Sequence, residues 1–545
     1  MKISFENIPR STDLFLDYIY NFEKVAEFYA RPPYDDKAYK NLFHKLEQNQ
    51  YQREKLVEIL SLQNEKFGNT PRTISSIERL RDPKTFVVFT GQQVGLFGGP
   101  LYTIYKAMTT INMARYLSLT TNYNFLPLFW VEGEDHDFEE IRKTCVVDKN
   151  NDLMELTYEP HIPHAGQCVG EMILDDTIQI LIEKYASGIY DSDYKKDVLN
   201  ALKECYKPGK NLAGAFASWL AYLVGAYGLI LVDPSHPDIK KIALPAFKTS
   251  LEKHDNEINQ SLEKTNKQLL DSGYHVQVNH RRDTLDFFYH TPKRVPITLK
   301  NEKNMYIIEE TGREFSKPQL MKFLEENIQH MSPNVILRPL IQDRVFPTAA
   351  YVAGPSEIAY FAQYKGLYEI FNTPMPVIYP RKSLTVEEKR IYKIRKKYNI
   401  EFPQLFNQRS ALEKRVLVEQ LPSDITETVD EVRSNINENL DKLLDVAVSF
   451  NKNLGPIVKK MKGSINKDLS HTLNRITNSF EDRDKIIKEH IDKIFVNLYP
   501  DKNLQERKLN ILSYLYKYYS KFIYSLTELT CCQHDNKHIL WKVEL

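Results

Sequence analysis

The stretch Thr85–Ala107, TFVVFTGQQVGLFGGPLYTIYKA, constrains the fold more than any other part of this 545-residue chain. Phe86–Thr90 is a short apolar run that reads as a buried strand. Four of the chain's 19 glycines follow within nine residues, as Gly91, Gly95, Gly98 and Gly99. Pro100 then opens a helix over Leu101–Tyr116, where its missing N–H costs nothing. Strand, glycine loop and helix bring backbone N–H groups and a helix N-terminus toward one point, a geometry suited to a phosphate or carboxylate. The spacing fits neither GxGxxG nor GxxxxGK(S/T), so a tight turn without a ligand competes with the anion site.

The theme recurs. Phe125–Val131 is a second strand-like run and leads into Glu132, Gly133, Glu134, Asp135, His136 and Asp137. Ligands of open α/β sheets sit at strand carboxyl ends, so this acidic cluster around His136, beside Trp130, is a candidate for metal binding, amine orientation or proton transfer. The competing reading is a solvated loop whose acids favour the start of a helix near Phe138–Ile141. Leu229–Val232 reads as a third strand and Val335–Arg338 as a fourth. Tyr351–Ala353 precedes Gly354-Pro355-Ser356-Glu357, a helix start with an acid in its first turn, and Tyr360, Gln363 and Tyr364 share one face of that helix. The last strand, around Val377–Tyr379, runs into Arg381-Lys382-Ser383, which suits a phosphate unless it is an exposed basic linker.

Pattern changes divide the chain. Residues 1–80 read as a helical segment on the core, including one amphipathic helix over Tyr39–Asn64. Residues 81–144, 211–239 and 333–385 carry the α/β core. Residues 145–210 and 240–332 read as insertions, the second with strands in GYHVQV, LDFFYH and VPITL. In residues 386–502 the apolar positions Ile425, Val429, Val432, Ile436, Leu440 and Leu443 step by three and four. After Gly455-Pro456 the pattern resumes at Ile465, Leu469, Leu473, Ile476, Phe480, Ile487, Ile491, Ile494 and Leu498, which predicts an antiparallel coiled-coil hairpin. Residues 503–545 read as a helix and a strand returning to the core.

With 73 Lys+Arg against 72 Asp+Glu there is no global field for nucleic acid or an acidic membrane. No apolar stretch is long enough to span a bilayer, and the N-terminus lacks a signal-peptide core. Five cysteines without CxxC spacing fit a reducing cytoplasm and neither a zinc ribbon nor a redox motif.

Taken together, FTGQQVGLFGGPLYTIYKA, FWVEGEDHDFEEI, GLILVDP, GYHVQV, VAGPSEIAY, PRKSLT and LQER, followed by the coiled coil, resemble the BshC family, the cysteine-adding enzymes of bacillithiol synthesis. The resemblance covers essentially the whole chain. It implies an α/β fold with a Rossmann-like core similar to class I aminoacyl-tRNA synthetases, two connecting-peptide insertions and a coiled coil that supports a homodimer. It implies cysteine and glucosaminyl-malate as substrates and a bound ATP or ADP, with any magnesium arriving only with the nucleotide. The chain has neither the HIGH nor the KMSKS motif of the synthetases, so only the layout of two phosphate-contacting loops carries that comparison.

On this basis Arg381, Lys382 and Ser383 are expected to meet phosphate together with the backbone of Gly91, Gly95, Gly98 and Gly99. His136, held by Asp135 or Asp137, is expected to accept a proton from the attacking amine. Glu132 or Glu357 would hold an amino group, with Gln92, Gln93, Tyr102, Trp130, Ser356, Tyr360 and Gln363 around the substrate. Two alternatives stay open: a transferase using pre-activated cysteine, and a nucleotide-binding coiled-coil scaffold without catalysis.

Overall fold

The apolar runs of the core pair as parallel strands. In the computed structural model, which describes residues 1–300, 304–420, 423–478, 481–532 and 536–544, five of them form one sheet. They are β1 (Thr85–Gln93), β2 (Asn124–Glu132), β3 (Ile230–Val232), β4 (Thr348–Ala353) and β5 (Val377–Pro380). Their spatial order is β5-β4-β1-β2-β3, and every neighbouring pair is parallel. The strands are buried along almost their whole length because helices cover both faces, as continuous rather than alternating hydrophobicity requires. From β1 the chain builds outward through β2 to β3, then returns to the other side of β1 for β4 and β5. The order therefore reverses between β1 and β4, and this switch point opens a crevice at the strand carboxyl ends.

The helix after the glycine loop spans Leu101–Thr120 and is buried on nearly all sides. The long helix expected over Tyr39–Asn64 is two helices, Asp36–Gln48 and Arg53–Lys66, separated at Asn49–Gln52. The first insertion opens on an antiparallel hairpin, Lys143–Val147 with Leu153–Thr157. In the second insertion Thr284–His290 and Arg294–Lys300 pair in an antiparallel five-stranded sheet. GYHVQV is not a strand there, since the Val278 N–H and carbonyl are taken by the side-chain amide of Gln363. Val335–Arg338 is not a core strand either. Met331–Pro333 joins the antiparallel sheet, and the chain enters the helix Leu337–Val345 with Pro339 in its first turn, where a missing N–H is tolerated.

The chain separates into two compact units, Met1–Val386 with Asn503–Trp541, and Glu387–Lys502 with Lys542–Glu544. The second unit is helical. Ser423–Phe450 and Gly455–Asn478 pack as a hairpin around Leu440 and Val458, with Asn437 and Asn466 exchanging side-chain hydrogen bonds at 2.9 and 3.3 Å. The seam drifts from the predicted register. Leu444 and Val448 face Gly455, whereas Leu443 is 46% exposed, as expected where two consecutive four-residue steps push a straight helix out of phase. Ile487, Ile491, Ile494 and Leu498 are buried on a further helix, Glu481–Leu498. Phe480 and the side chain of Ile425 lie outside the described residues.

The C-terminal segment of the first unit packs back against the glycine loop. The buried Asn510 amide donates to the carbonyls of Phe97 at 3.1 Å and Gly99 at 2.8 Å, and Leu509 O accepts from Leu101 N at 2.8 Å. Asn510→Ala leaves these carbonyls without a partner. It is expected to lower unfolding free energy by about 1–3 kcal/mol, read as a shifted midpoint in urea titration.

Candidate active site

The carboxyl ends of β1, β2, β4 and β5 enclose one cleft of about 520 Å³. β1 contributes Gly91, Gln92 and Gln93, the end of β2 contributes Glu132 and Asp135, and the turn after β4 contributes Gly354, Ser356, Glu357 and Tyr360. Arg381 follows β5, and Tyr102 and Lys106 reach in one turn apart from the helix Leu101–Thr120. Phe288, Arg294, Asn334 and Arg338 complete the wall from the second insertion and the segment after it, and Arg507 from the C-terminal segment.

Charge pairing gives this cleft its shape. Lys106, 2% exposed, donates to Gly91 O at 2.5 Å and lies 2.7 Å from Glu357. Glu357 also accepts from Gly354 N at 2.7 Å and from Tyr351 OH at 2.8 Å. Burial opposes ionisation of Glu357, but the Lys106 charge and these hydrogen bonds hold its pKa below 4.5. Arg338 donates to Tyr360 OH at 2.8 Å and sits 3.9 Å from Glu132, whose carboxylate also accepts from Trp130 Nε1 at 3.1 Å. Arg294 lies over the Phe288 ring at 3.9 Å, donates to Ser332 Oγ and Pro333 O, and faces Asp135 at 3.5 Å. Gln93 donates to Asp135 at 2.8 Å. Burial works against the Asp135 charge, and Arg294 and Gln93 outweigh it, so its pKa is lowered. Arg381 pairs with the buried Glu506 at 2.7 Å and lies over Tyr102 at 5.6 Å.

The structure thus brings Gly91, Gln92, Gln93, Tyr102, Glu132, Asp135, Ser356, Glu357, Tyr360 and Arg381 into one site. It separates the other predicted residues from it. Gly95, Gly98 and Gly99 are not an anion cradle. Their N–H groups go to Gln93 O, Gly95 O and Leu96 O, with Gly98 N also within 3.1 Å of Tyr206 OH. Gly98, at φ +92°, is where a Cβ would meet Trp219 at 3.0 Å, so the glycines serve a tight, buried turn. Lys382 and Ser383 are buried on the other side of Arg381, beside Tyr34 and Tyr379 rather than in the cleft, and Ser383 Oγ donates to Glu506. This segment is therefore not an exposed basic loop. Gln363 is buried and holds Val278 and Asn266. Trp130 does not line the cleft but orients Glu132. Asp137 caps the helix Phe138–Ile141 by accepting from Glu140 N at 3.1 Å. His136, 55% exposed, borders an adjoining depression with His164 and Arg142, and its Nδ1 lies 3.2 Å from Asp135, the residue common to both spaces.

Lys106, Arg294, Arg338 and Arg507 were not in the expected set. Lys106 had a readable signal, a lysine inside an otherwise apolar helix one turn after Tyr102. Arg294 and Arg338 had none, because the second insertion delivers the first and the helix Leu337–Val345 after it the second. Among the described residues no three His, Cys, Asp or Glu side chains are grouped to hold a metal ion, and no helix is long and apolar enough to cross a membrane.

A five-stranded parallel sheet with a polar cleft at its switch point, joined to a helical hairpin unit, defines a Rossmann-like protein with a C-terminal coiled coil. Residues 1–382 match the family model described as "Bacillithiol biosynthesis BshC, N-terminal Rossmann-like domain", and residues 384–543 match its C-terminal coiled-coil domain. The chain belongs to the BshC family. A protein of Salinibacter ruber named "Putative cysteine ligase BshC" is 35% identical over 93% of this chain and 92% of its own. Proteins of the same name from Natranaerobius thermophilus (30% identical, 95% and 96% covered) and Chlorobium phaeobacteroides (31%, 97% and 96%) are similar along their length. A solved structure titled as a putative arginyl-tRNA synthetase from Campylobacter jejuni covers 86% of this chain and 99% of its own at 13% identity. Its TM-score of 0.24 carries no argument.

Glu357 and Glu506 both hold folded pKa values below 4.5, the first through Lys106 and the second through Arg381, each against the effect of burial. A depressed carboxyl adds stability above its unfolded pKa and loses it as pH falls through the folded value. Thermal midpoints of the wild type are therefore expected to fall on acidification below about pH 4.5. Glu506→Gln should begin from a lower neutral plateau and show a shallower acid limb in the same scans.

Proposed function

We propose that this protein is a ligase that joins the carboxyl group of cysteine to the amine of glucosaminyl-malate, completing bacillithiol. The observation that carries this reading is the cleft itself, where carboxylates and guanidinium groups are held in fixed places around one space. Glu132 and Asp135 can receive the ammonium groups of the two substrates, and the arginine wall suits carboxylates. The family membership supplies the chemistry. The names of the relatives supply cysteine as the group transferred.

Forming the amide releases the elements of water from a carboxylate and an ammonium, so the carboxylate must first gain a better leaving group. A bound nucleotide would supply that leaving group. The residues fit its phosphates only in part: Arg381 and its neighbours offer positive charge, but the N–H groups of Gly95, Gly98 and Gly99 are already committed within the protein. Asp135 with His136 is the proton-accepting pair that reaches the cleft edge, so these residues would take the proton from the attacking amine. The committed N–H groups of the glycine loop favour one second reading, a transferase that receives cysteine already activated. Nucleotide hydrolysis by purified protein with both substrates present separates the two. We also place the protein in the cytoplasm as a homodimer through the coiled coil, supported by Val446, Phe450 and Ile457 exposed at 65%, 87% and 63% on the helical hairpin.

Bacillithiol formation followed by mass spectrometry tests the assignment. Asp135→Asn is expected to lower the rate by about 10²-fold or more and His136→Ala by a smaller factor, with folding unchanged by circular dichroism. Wild-type rates in both variants would remove this proton-transfer pair.

A further inference from the structure

We propose that Arg507 is the anion hook of the cleft, taking an anionic oxygen group of the ligand beside Arg381. The inference rests on the reading of this cleft as the substrate site and adds to it a residue supplied from beyond the coiled coil.

Five cations border the cleft, and four have a carboxylate. Lys106 has Glu357 at 2.7 Å, Arg294 has Asp135 at 3.5 Å, Arg338 has Glu132 at 3.9 Å and Arg381 has Glu506 at 2.7 Å. Arg507, exposed at the cleft wall, has no side-chain hydrogen bond or ion pair among the described residues. Its neighbour Glu506 cannot serve it. One oxygen of Glu506 accepts from Arg381, and the other accepts from Ser383 Oγ at 2.9 Å and Leu384 N at 3.0 Å. The other charges acting on Arg507 are Arg381 and Arg10, both positive, and Arg10 is tied to Asn503 at 2.8 Å. Partial burial and the Arg381 charge outweigh the attraction of Glu506 and lower the pKa of Arg507.

Two guanidinium groups side by side in a cleft are unfavourable unless a shared anion offsets their repulsion. Arg381 cannot move aside, because Glu506 and the Lys382 carbonyl, which accepts from it at 3.0 Å, hold its head. The pair therefore forms a fixed anchor and an adjustable partner. The ligand chemistry is a carboxylate or a phosphate, supplied by the malyl group of the acceptor or by a nucleotide.

Calorimetric titration of the full chain with L-malate, ADP and inorganic phosphate tests this, in the wild type, Arg507→Gln and Arg507→Lys. At least one of these anions is expected to bind about tenfold more weakly to Arg507→Gln, with Arg507→Lys intermediate and the unliganded thermal midpoint unchanged. Loss confined to malate assigns the hook to the acceptor's carboxylate, and loss confined to ADP and phosphate assigns it to a nucleotide. The proposal is overturned if all three affinities stay within about twofold in folded Arg507→Gln. It is also overturned if the wild type binds none of them, or if Arg281→Gln at the exposed surface produces the same loss. Binding that depends on Arg507 in a protein that forms no amide would sink the ligase reading and leave the hook standing. Amide formation at unchanged KM by Arg507→Gln would do the reverse.

Discussion

Lys106 Nζ holds the two halves of the sheet together where they part. It reaches Gly91 O and the Gln92 side chain at the end of β1, and Glu357 in the turn after β4. These strands are the neighbours between which the strand order reverses, so the contact spans the floor of the crevice. A buried ion pair adds little net stability compared with a well-packed apolar pair. What it provides here is position. Glu357 is bound at once by Lys106, Gly354 N and Tyr351 OH, so its helix start cannot rotate without breaking three charge-assisted hydrogen bonds. The rest of the cleft is built outward from this fixed point.

A second constraint comes from far along the chain. Between β5 and residue 503 lies the whole helical unit, yet Glu506, Arg507 and Asn510 all work on the core within five residues of one another. Glu506 orients Arg381, Arg507 lines the cleft, and Asn510 closes the glycine loop. The loop, which by pattern suited either an anion or a tight turn without a ligand, is a tight turn closed by the protein's own C-terminal segment. Glycine is needed at 98, where φ is positive and a Cβ would meet Trp219, and at 95, where a Cβ would meet the Gly99 Cα at 2.9 Å. Positive charge in the cleft is carried instead by guanidinium side chains, which are less dependent on loop geometry and can be paired or left unpaired individually.

This explains why some of the site was legible in the sequence and some was not. Strand ends were legible, because a buried parallel strand is a continuous apolar run and ends where polar residues begin. Glu132, Asp135, Glu357 and Arg381 were all found that way, and Gln93 and Ser356 lie beside such ends. The same rule over-reached by one or two residues at His136, Asp137, Lys382 and Ser383, where a cap or a turn rotates the side chain out of the cleft. Val335–Arg338 misled because three apolar residues, Val335–Leu337, do not distinguish a strand from the approach to a helix. Arg294, Arg338 and Arg507 follow no strand of the core, so nothing local marks them. Only the folded chain places Arg338 beside Glu132, Arg294 beside Asp135 and Arg507 in the same cleft wall.

The distribution of charge then has a chemical logic. Joining cysteine to an amine requires one ammonium to be held while another loses its proton, and these demands conflict if every carboxylate in the site is equally available. Glu357 and Glu506 are saturated by protein donors and serve as scaffold. Glu132 is shared among Trp130, the Glu134 N–H and a distant Arg338, and keeps capacity for a cation. Asp135 is engaged by Gln93 and Arg294 yet remains partly exposed, with His136 on its outer side. In the reaction proposed above, a proton passed to His136, held beside Asp135, would have a route to solvent through the exposed imidazole, whereas one taken at Glu357 would have to break the Lys106 pair that holds the crevice together. The residue best placed to move a proton is the one that contributes least to holding the floor in place.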